Sequence, residues 1–161
     1  METTRQHLAL HGLRSTLRRA DAEELPFADA SFDVVYSWGV MHHSERPEAI
    51  VREIQRVLKP GGTFIGMMNS RRSLVAWKLW VRRALLSGKP WRSLADVLWH
   101  HMESVGTKGY TQDELRRMFA SFARVEISPV ATVYDRKWLG PLARLVPDAL
   151  GWNLAICAVM R

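Results

Sequence analysis

The feature that most constrains the fold is an alternation of patterns between residues 32 and 68. Phe32-Asp-Val-Val-Tyr-Ser-Trp38 is rich in β-branched and aromatic residues and is apolar at nearly every position after Asp33. A strand covered on both faces reads this way, as in a parallel sheet flanked by helices. Residues 47–58 then place Ile50, Ile54, Val57 and Leu58 at the i, i+4, i+7, i+8 spacing of one helix face. Pro47 suits a first helical turn, where an N–H has no intrahelical partner to lose, and Glu48 stands one turn before Arg52. Lys59-Pro-Gly-Gly62 stops the helix, and Thr63-Phe-Ile-Gly-Met-Met68 supplies another strand. Strand, helix, glycine stop, strand is a βαβ unit, which crosses over right-handed in nearly all cases. The fold class it predicts is α/β.

The flanks are read from weaker signals. Residues 15–21 form a short extended candidate ending at Asp21. Residues 70–86 predict a helix with Trp77, Trp80, Val81, Ala84 and Leu85 on its buried face and Arg71, Lys78 and Arg82 opposite. A second helix is expected over 93–104. Thr111-Gln-Asp-Glu114 matches a capping box, in which two side chains satisfy orphan amides reciprocally. Leu115, Met118 and Phe119 give the helix it starts a buried face. Val125 and Ile127 alternate with polar residues, as a strand does. Residues 141–150 read as irregular or helical, and 152–160 as a last apolar strand that Gly151 turns into.

At 161 residues the chain is about the size of one domain. Its charge is uneven. Residues 1–69 carry 8 Lys/Arg against 9 Asp/Glu, whereas 70–161 carry 15 against 7. Seven cations (Arg71, Arg72, Lys78, Arg82, Arg83, Lys89, Arg92) precede the first acid of that second part, Asp96. Such a cluster faces water, nucleic acid, anionic lipid or an acidic substrate. No helix-turn-helix, RNP or zinc-finger pattern accompanies it. The lone Cys157 excludes an intramolecular disulfide framework and fits a reducing, cytoplasmic setting. The first residues lack the basic-then-apolar pattern of a signal peptide, and no apolar run approaches the ~20 residues that span a bilayer.

Ligands of open parallel sheets bind beyond the carboxyl ends of the strands. One such end is Asp21-Ala-Glu-Glu-Leu-Pro-Phe27. There an acidic side chain can accept from an exocyclic amine while the next backbone amide donates to a ring nitrogen, a pair that reads an adenine edge. The other end is Ser37-Trp-Gly-Val-Met-His-His43. Gly39 permits close approach of a ligand, and His42 or His43 could serve as a general base near neutral pH. Two histidines with no third ligand argue against a metal.

In order and spacing, Asp21-Ala-Glu-x-Leu-Pro-Phe, Ser31-Phe-Asp-Val-Val-Tyr-Ser, Val40-Met-His-His and Arg56-Val-Leu-Lys-Pro-Gly-Gly resemble the class I S-adenosylmethionine-dependent methyltransferases of the type 11 group. The match runs over residues 13–69, and residues 110–161 are similar to that group's C-terminal portion. The resemblance implies a Rossmann-like fold with a mostly parallel sheet and an antiparallel last strand. It implies one partial domain over residues 1–161, with a helical lid over 70–108. It places Asp21 and Ala22 on the adenine of S-adenosylmethionine and Ser37 near its methionine end, and it implies methyl transfer to a small-molecule acceptor.

The family's opening strand, Gly-rich loop and ribose-binding acid have no counterpart in these residues; the only glycine before Gly39 is Gly12. By resemblance the domain is N-terminally truncated. The strand over 15–21 is left without neighbours, and self-association or a separate missing half is expected to cover the open sheet. Two other readings stand beside the enzyme. One is an inactive or split remnant that binds a partner. The other is a peripheral binder of anionic membranes through the basic helix over 70–86, since a Trp-bearing amphipathic helix can lie in a bilayer interface.

Overall fold

The computed structural model describes residues 1–102, 104–133, 135 and 147–161. Helix α1 is Glu2–Leu10, strand β1 Phe32–Trp38, helix α2 Pro47–Val57 and strand β2 Leu58–Asn69. Then come α3 (Leu74–Trp80), α4 (Leu94–His101), α5 (Gln112–Met118), β3 (Arg124–Val130) and β4 (Asn153–Val159). The four strands form one sheet in the order β1-β2-β4-β3. β1 and β2 are parallel, while β4 is antiparallel to both of its neighbours, β2 and β3. Three strands therefore run one way and the last strand of the chain runs against them, as the resemblance implies.

The βαβ unit forms as its pattern predicts. α2 buries Ile50, Val51, Ile54 and Val57 and carries Pro47 in its first turn. It ends where Leu58 becomes extended, at φ −74° and ψ 137°. β2 thus begins at Leu58 rather than after the glycines. Residues 59–62 make a detour in the ladder, because Phe32 pairs with Leu58 but Val34 with Thr63. Pro60 is tolerated at such an irregularity, where no ladder bond needs its missing N–H.

Two expectations fail, for related reasons. Residues 13–20 form no strand, and only an isolated bridge links Asp21 to Glu24. A strand needs a neighbour for its backbone groups, and no described strand lies beside this segment. β1, in turn, is covered on one face only. Val35 packs against the core, while Val34, Tyr36 and Trp38 point the other way and are exposed, Tyr36 by 65%. The apolar run in the sequence is that of a doubly covered strand, but nothing among the described residues covers its second face.

Two apolar clusters hold the structure. The larger lies between the sheet and helices α2 and α5, and joins Phe64, Met68, Leu154 and Ile156 to Ile50, Ile54, Leu115 and Phe119. Phe64 and Phe119 stack with centroids 5.3 Å apart. The smaller joins Val75, Ala76, Leu79, Ala84, Val97 and Leu98 to Trp152. The helix expected over 70–86 starts later, at Leu74, where the Ser73 hydroxyl accepts from the Ala76 amide at 3.1 Å. It continues as one π-helical stretch over Val81–Leu85. Its buried face is also different from the expected one. Small and branched side chains (Val75, Ala76, Leu79, Ala84) share a cluster with the indole of Trp152, while Trp77, Val81 and Leu85 face outward. Trp80 is half-buried, its Nε1 donating to the Arg92 carbonyl at 2.6 Å. The capping box at Thr111 and Glu114 is present in both directions. Of the segment 141–150, residues 141–146 lie outside the described residues, and Asp148–Leu150 form a 3-10 turn.

Candidate functional site

β1 delivers Trp38 to the carboxyl end of the sheet, and Gly39 then turns the chain at φ +73°, a left-handed conformation that side chains disfavour. A short 3-10 turn, Met41–His43, follows. It buries Met41 in the larger core and leaves His42 only 1% exposed. The turn is clipped from outside by Lys108. Its amide donates to the His42 carbonyl at 3.1 Å, and its Nζ donates to the carbonyls of Ser44 and Glu45 at 2.9 and 2.7 Å.

β2 brings Met67 and Asn69 to the same end, and β4 brings Asn153, directly opposite Asn69 in the ladder. Trp152 enters beside them. A Cβ on Gly151 would stand 2.3 Å from the Val130 carbonyl carbon, so only glycine lets the chain pass this close to β3. The Trp152 amide then donates to the buried carboxylate of Asp135 at 2.9 Å. Trp38, Gly39, His42, Met67, Asn69, Trp152 and Asn153 enclose a cavity of about 280 Å³.

Three buried polar atoms on this wall have no hydrogen-bond partner among the described residues: His42 Nδ1, Asn69 Nδ2 and Asn153 Oδ1. Buried polar groups are nearly always paired, so orphans gathered at one cavity mark a place where a ligand or water completes the set. The His42 ring is held down to about 4, first by burial and then by repulsion from His43. It is therefore neutral at pH 7, and too weak a base to take a proton readily there. His43 lies outside the cavity, with its Nδ1 3.4 Å from the Ser104 and Thr107 hydroxyls. The site thus offers aromatic walls, a thioether and uncharged hydrogen-bonding groups.

Of the residues singled out in the sequence, Gly39 and His42 line the cavity, whereas Asp21, Ala22 and Ser37 do not. Ser37 comes nearest in the chain, one position before Trp38 and opposite Gly66 on β2. Ala22 is half-buried against the larger core. The Asp21 side chain is exposed and accepts from the Glu23 amide within its own turn, at 2.9 Å. Glu23, passed over in the sequence, ties this turn to the short link between the 3-10 turn and α2. Its carboxylate accepts from the Ser44 hydroxyl at 2.6 Å and from Arg46 Nε at 2.7 Å. These contacts, Ser44 foremost, pull its carboxyl below the usual range.

α2 anchors the rest of the segment. The Leu25 amide donates to Glu53 at 2.7 Å, and Arg56 donates to the carbonyls of Leu25 and Phe27 and to Asp29. The Arg56 guanidinium first, and the Leu25 amide second, hold Glu53 down to about 2. Met67, Asn69, Trp152 and Asn153 were all missed in the sequence. The usable signal was one polar residue at the end, or the start, of an otherwise apolar strand.

Residues 1–66 match the family profile of the methyltransferase domain. Over these residues, about two fifths of the chain, the protein is similar to the methyltransferase-domain family. Its relatives include the YafE protein of Escherichia coli K12, 50% identical over 52 residues, which cover 32% of this chain and 25% of that protein. The demethylmenaquinone methyltransferase of Desulfitobacterium hafniense is 31% identical over 110 residues, or 65% of this chain and 43% of that enzyme. The chain therefore spans less than half the length of these curated relatives. Among solved structures, an S-adenosylmethionine-dependent methyltransferase of Thermotoga maritima superposes with a TM-score of 0.65 over 99% of this chain and 70% of its own. At 16% identity it shows the shared fold.

Proposed function

We propose that this chain forms the acceptor-binding side of a methyl-transfer site, and that its acceptor is a small uncharged molecule. The observation that carries this reading is the cavity at the carboxyl ends of β1 and β2, whose lining residues His42, Asn69 and Asn153 each hold a buried polar atom with no partner among the described residues. The residues present fit the receiving end of such a site, because Gly39, at φ +73°, and the polar residues His42, Asn69 and Asn153 line one cavity. S-adenosylmethionine, when bound, supplies an electrophilic methyl group on a sulfonium.

This chain's own part is positioning and exclusion of water. Trp38 and Trp152 offer flat apolar walls. Asn69 and Asn153 together present a donor and an acceptor, and each side-chain amide carries both whichever way it is turned. A neutral acceptor with a carbonyl and a hydroxyl or N–H satisfies this pair. Neutral His42 adds a third polar contact. The relative named for demethylmenaquinone is in keeping with an apolar, oxygen-bearing acceptor. Helices α3 and α4, which pack on Trp152, are our candidate for the lid over the acceptor.

The test is ultraviolet cross-linking of radiolabelled S-adenosylmethionine to the full chain at saturating concentration, followed by peptide mapping. Label is expected within residues 20–46, displaced by S-adenosylhomocysteine. Absence of label, or label that S-adenosylhomocysteine does not displace, overturns the reading.

A further inference from the structure

The outward face of the helical layer is unlike the rest of the surface. Trp77, Val81 and Leu85 recur every four residues through α3 and the π-helical stretch, and all three are exposed, Trp77 by 47%. Leu86 and Trp91 continue the apolar surface beyond the helix, each 77% exposed. Between them stand Arg82, Arg83 and Lys89, also exposed. None of these three forms an ion pair among the described residues, and residues 70–95 contain no acid at all. Arg92, by contrast, is taken up by Asp96.

We infer that this face docks the protein on an anionic lipid bilayer. A bilayer surface uses both chemistries at once. Arg and Lys are drawn to the negative surface potential, while Trp and Leu side chains sink into the boundary between headgroups and acyl chains. A phosphate backbone would use the cations but leave Val81, Leu85 and Leu86 facing water. Among the described residues no helix is long and apolar enough to cross a membrane, so the contact is peripheral. The buried side of the layer needs no rearrangement, since Val75, Ala76, Leu79 and Ala84 already pack around Trp152. The inference does not depend on the methyl-transfer reading, and its test contains no cofactor.

The full chain is sedimented with vesicles of phosphatidylcholine, with and without phosphatidylglycerol, at low and high salt. Binding is expected to be at least tenfold stronger with phosphatidylglycerol and to weaken with salt, because the Debye length contracts. Arg82→Gln with Arg83→Gln should lower it by about an order of magnitude or more. Leu86→Ser with Trp91→Ser should lower it independently. Arg52→Gln with Arg116→Gln, on the helices over the other core, should leave it unchanged. Melting curves of each variant confirm that the fold persists, as these side chains are exposed. Equal binding to both vesicles, binding to neither, or equal loss in the Arg52/Arg116 variant overturns the inference. So does binding that survives the Leu86/Trp91 change, which would be charge adsorption alone.

Discussion

His42 is a fully buried histidine whose setting departs far from its usual chemistry. Its folded value of about 4 lies below the ordinary 6.5. Between these pH values the unfolded chain binds the proton that the folded chain refuses. Its contribution is therefore complete above pH 6.5 and is lost as the pH falls toward 4. At about 1.4 kcal/mol per unit, the whole window is worth on the order of 3 kcal/mol. Urea unfolding followed from neutral pH down to pH ~4 should show this slope, and His42→Phe should flatten it. Glu53, held down to about 2 from 4.5, gives up its contribution in a lower window. The two effects can thus be separated along the pH axis.

At the scale of elements, caps and anchors decide local stability. Thr111 satisfies the Glu114 amide while Glu114 satisfies the Thr111 amide, and Glu114 is also bound by Arg71. Thr111→Ala should cost about 1 kcal/mol, read as a lower urea midpoint with an unchanged slope. The segment 21–29 has no sheet partner and leans on α2 instead. Arg56→Ala removes the donors to Leu25, Phe27 and Asp29 together. Hydrogen exchange should then show protection of the Leu25 amide falling by roughly an order of magnitude or more. Amides of β2 and β4 should be unaffected. If Leu25 protection persists, the anchoring role of Arg56 is wrong.

For the molecule as a whole, the open side of the sheet is the dominant fact. Among the described residues β1 is an edge strand with one ladder partner, and Val34, Tyr36 and Trp38, with Ile65 of β2, lie exposed beside it. Edges of this kind template pairing with another chain. Light scattering is expected to give a mass that rises above the monomer with concentration, and Tyr36→Lys should return it to the monomer. A monodisperse wild-type monomer across that range would show that the edge is protected in some other way.

Local pattern was enough for the βαβ unit, the capping box at Thr111 and the last strand, because each rests on contacts within a few residues or on one periodicity. The likeness to methyltransferases was legible from four short motifs whose order survives without any folding. The sequence could not say which face a residue would present once a partner element was present or missing. Residues 15–21 looked extended, but a strand exists only as a pair. Trp77 looked buried by its hydrophobicity, yet Trp152, arriving from the far end of the chain past Gly151, occupies that cluster with the smaller side chains. The cavity was hidden for the same reason. Asn69 and Asn153 lie 84 positions apart in the sequence and meet only in the β2–β4 ladder, and their unpaired atoms are a property of the burial that tertiary packing imposes.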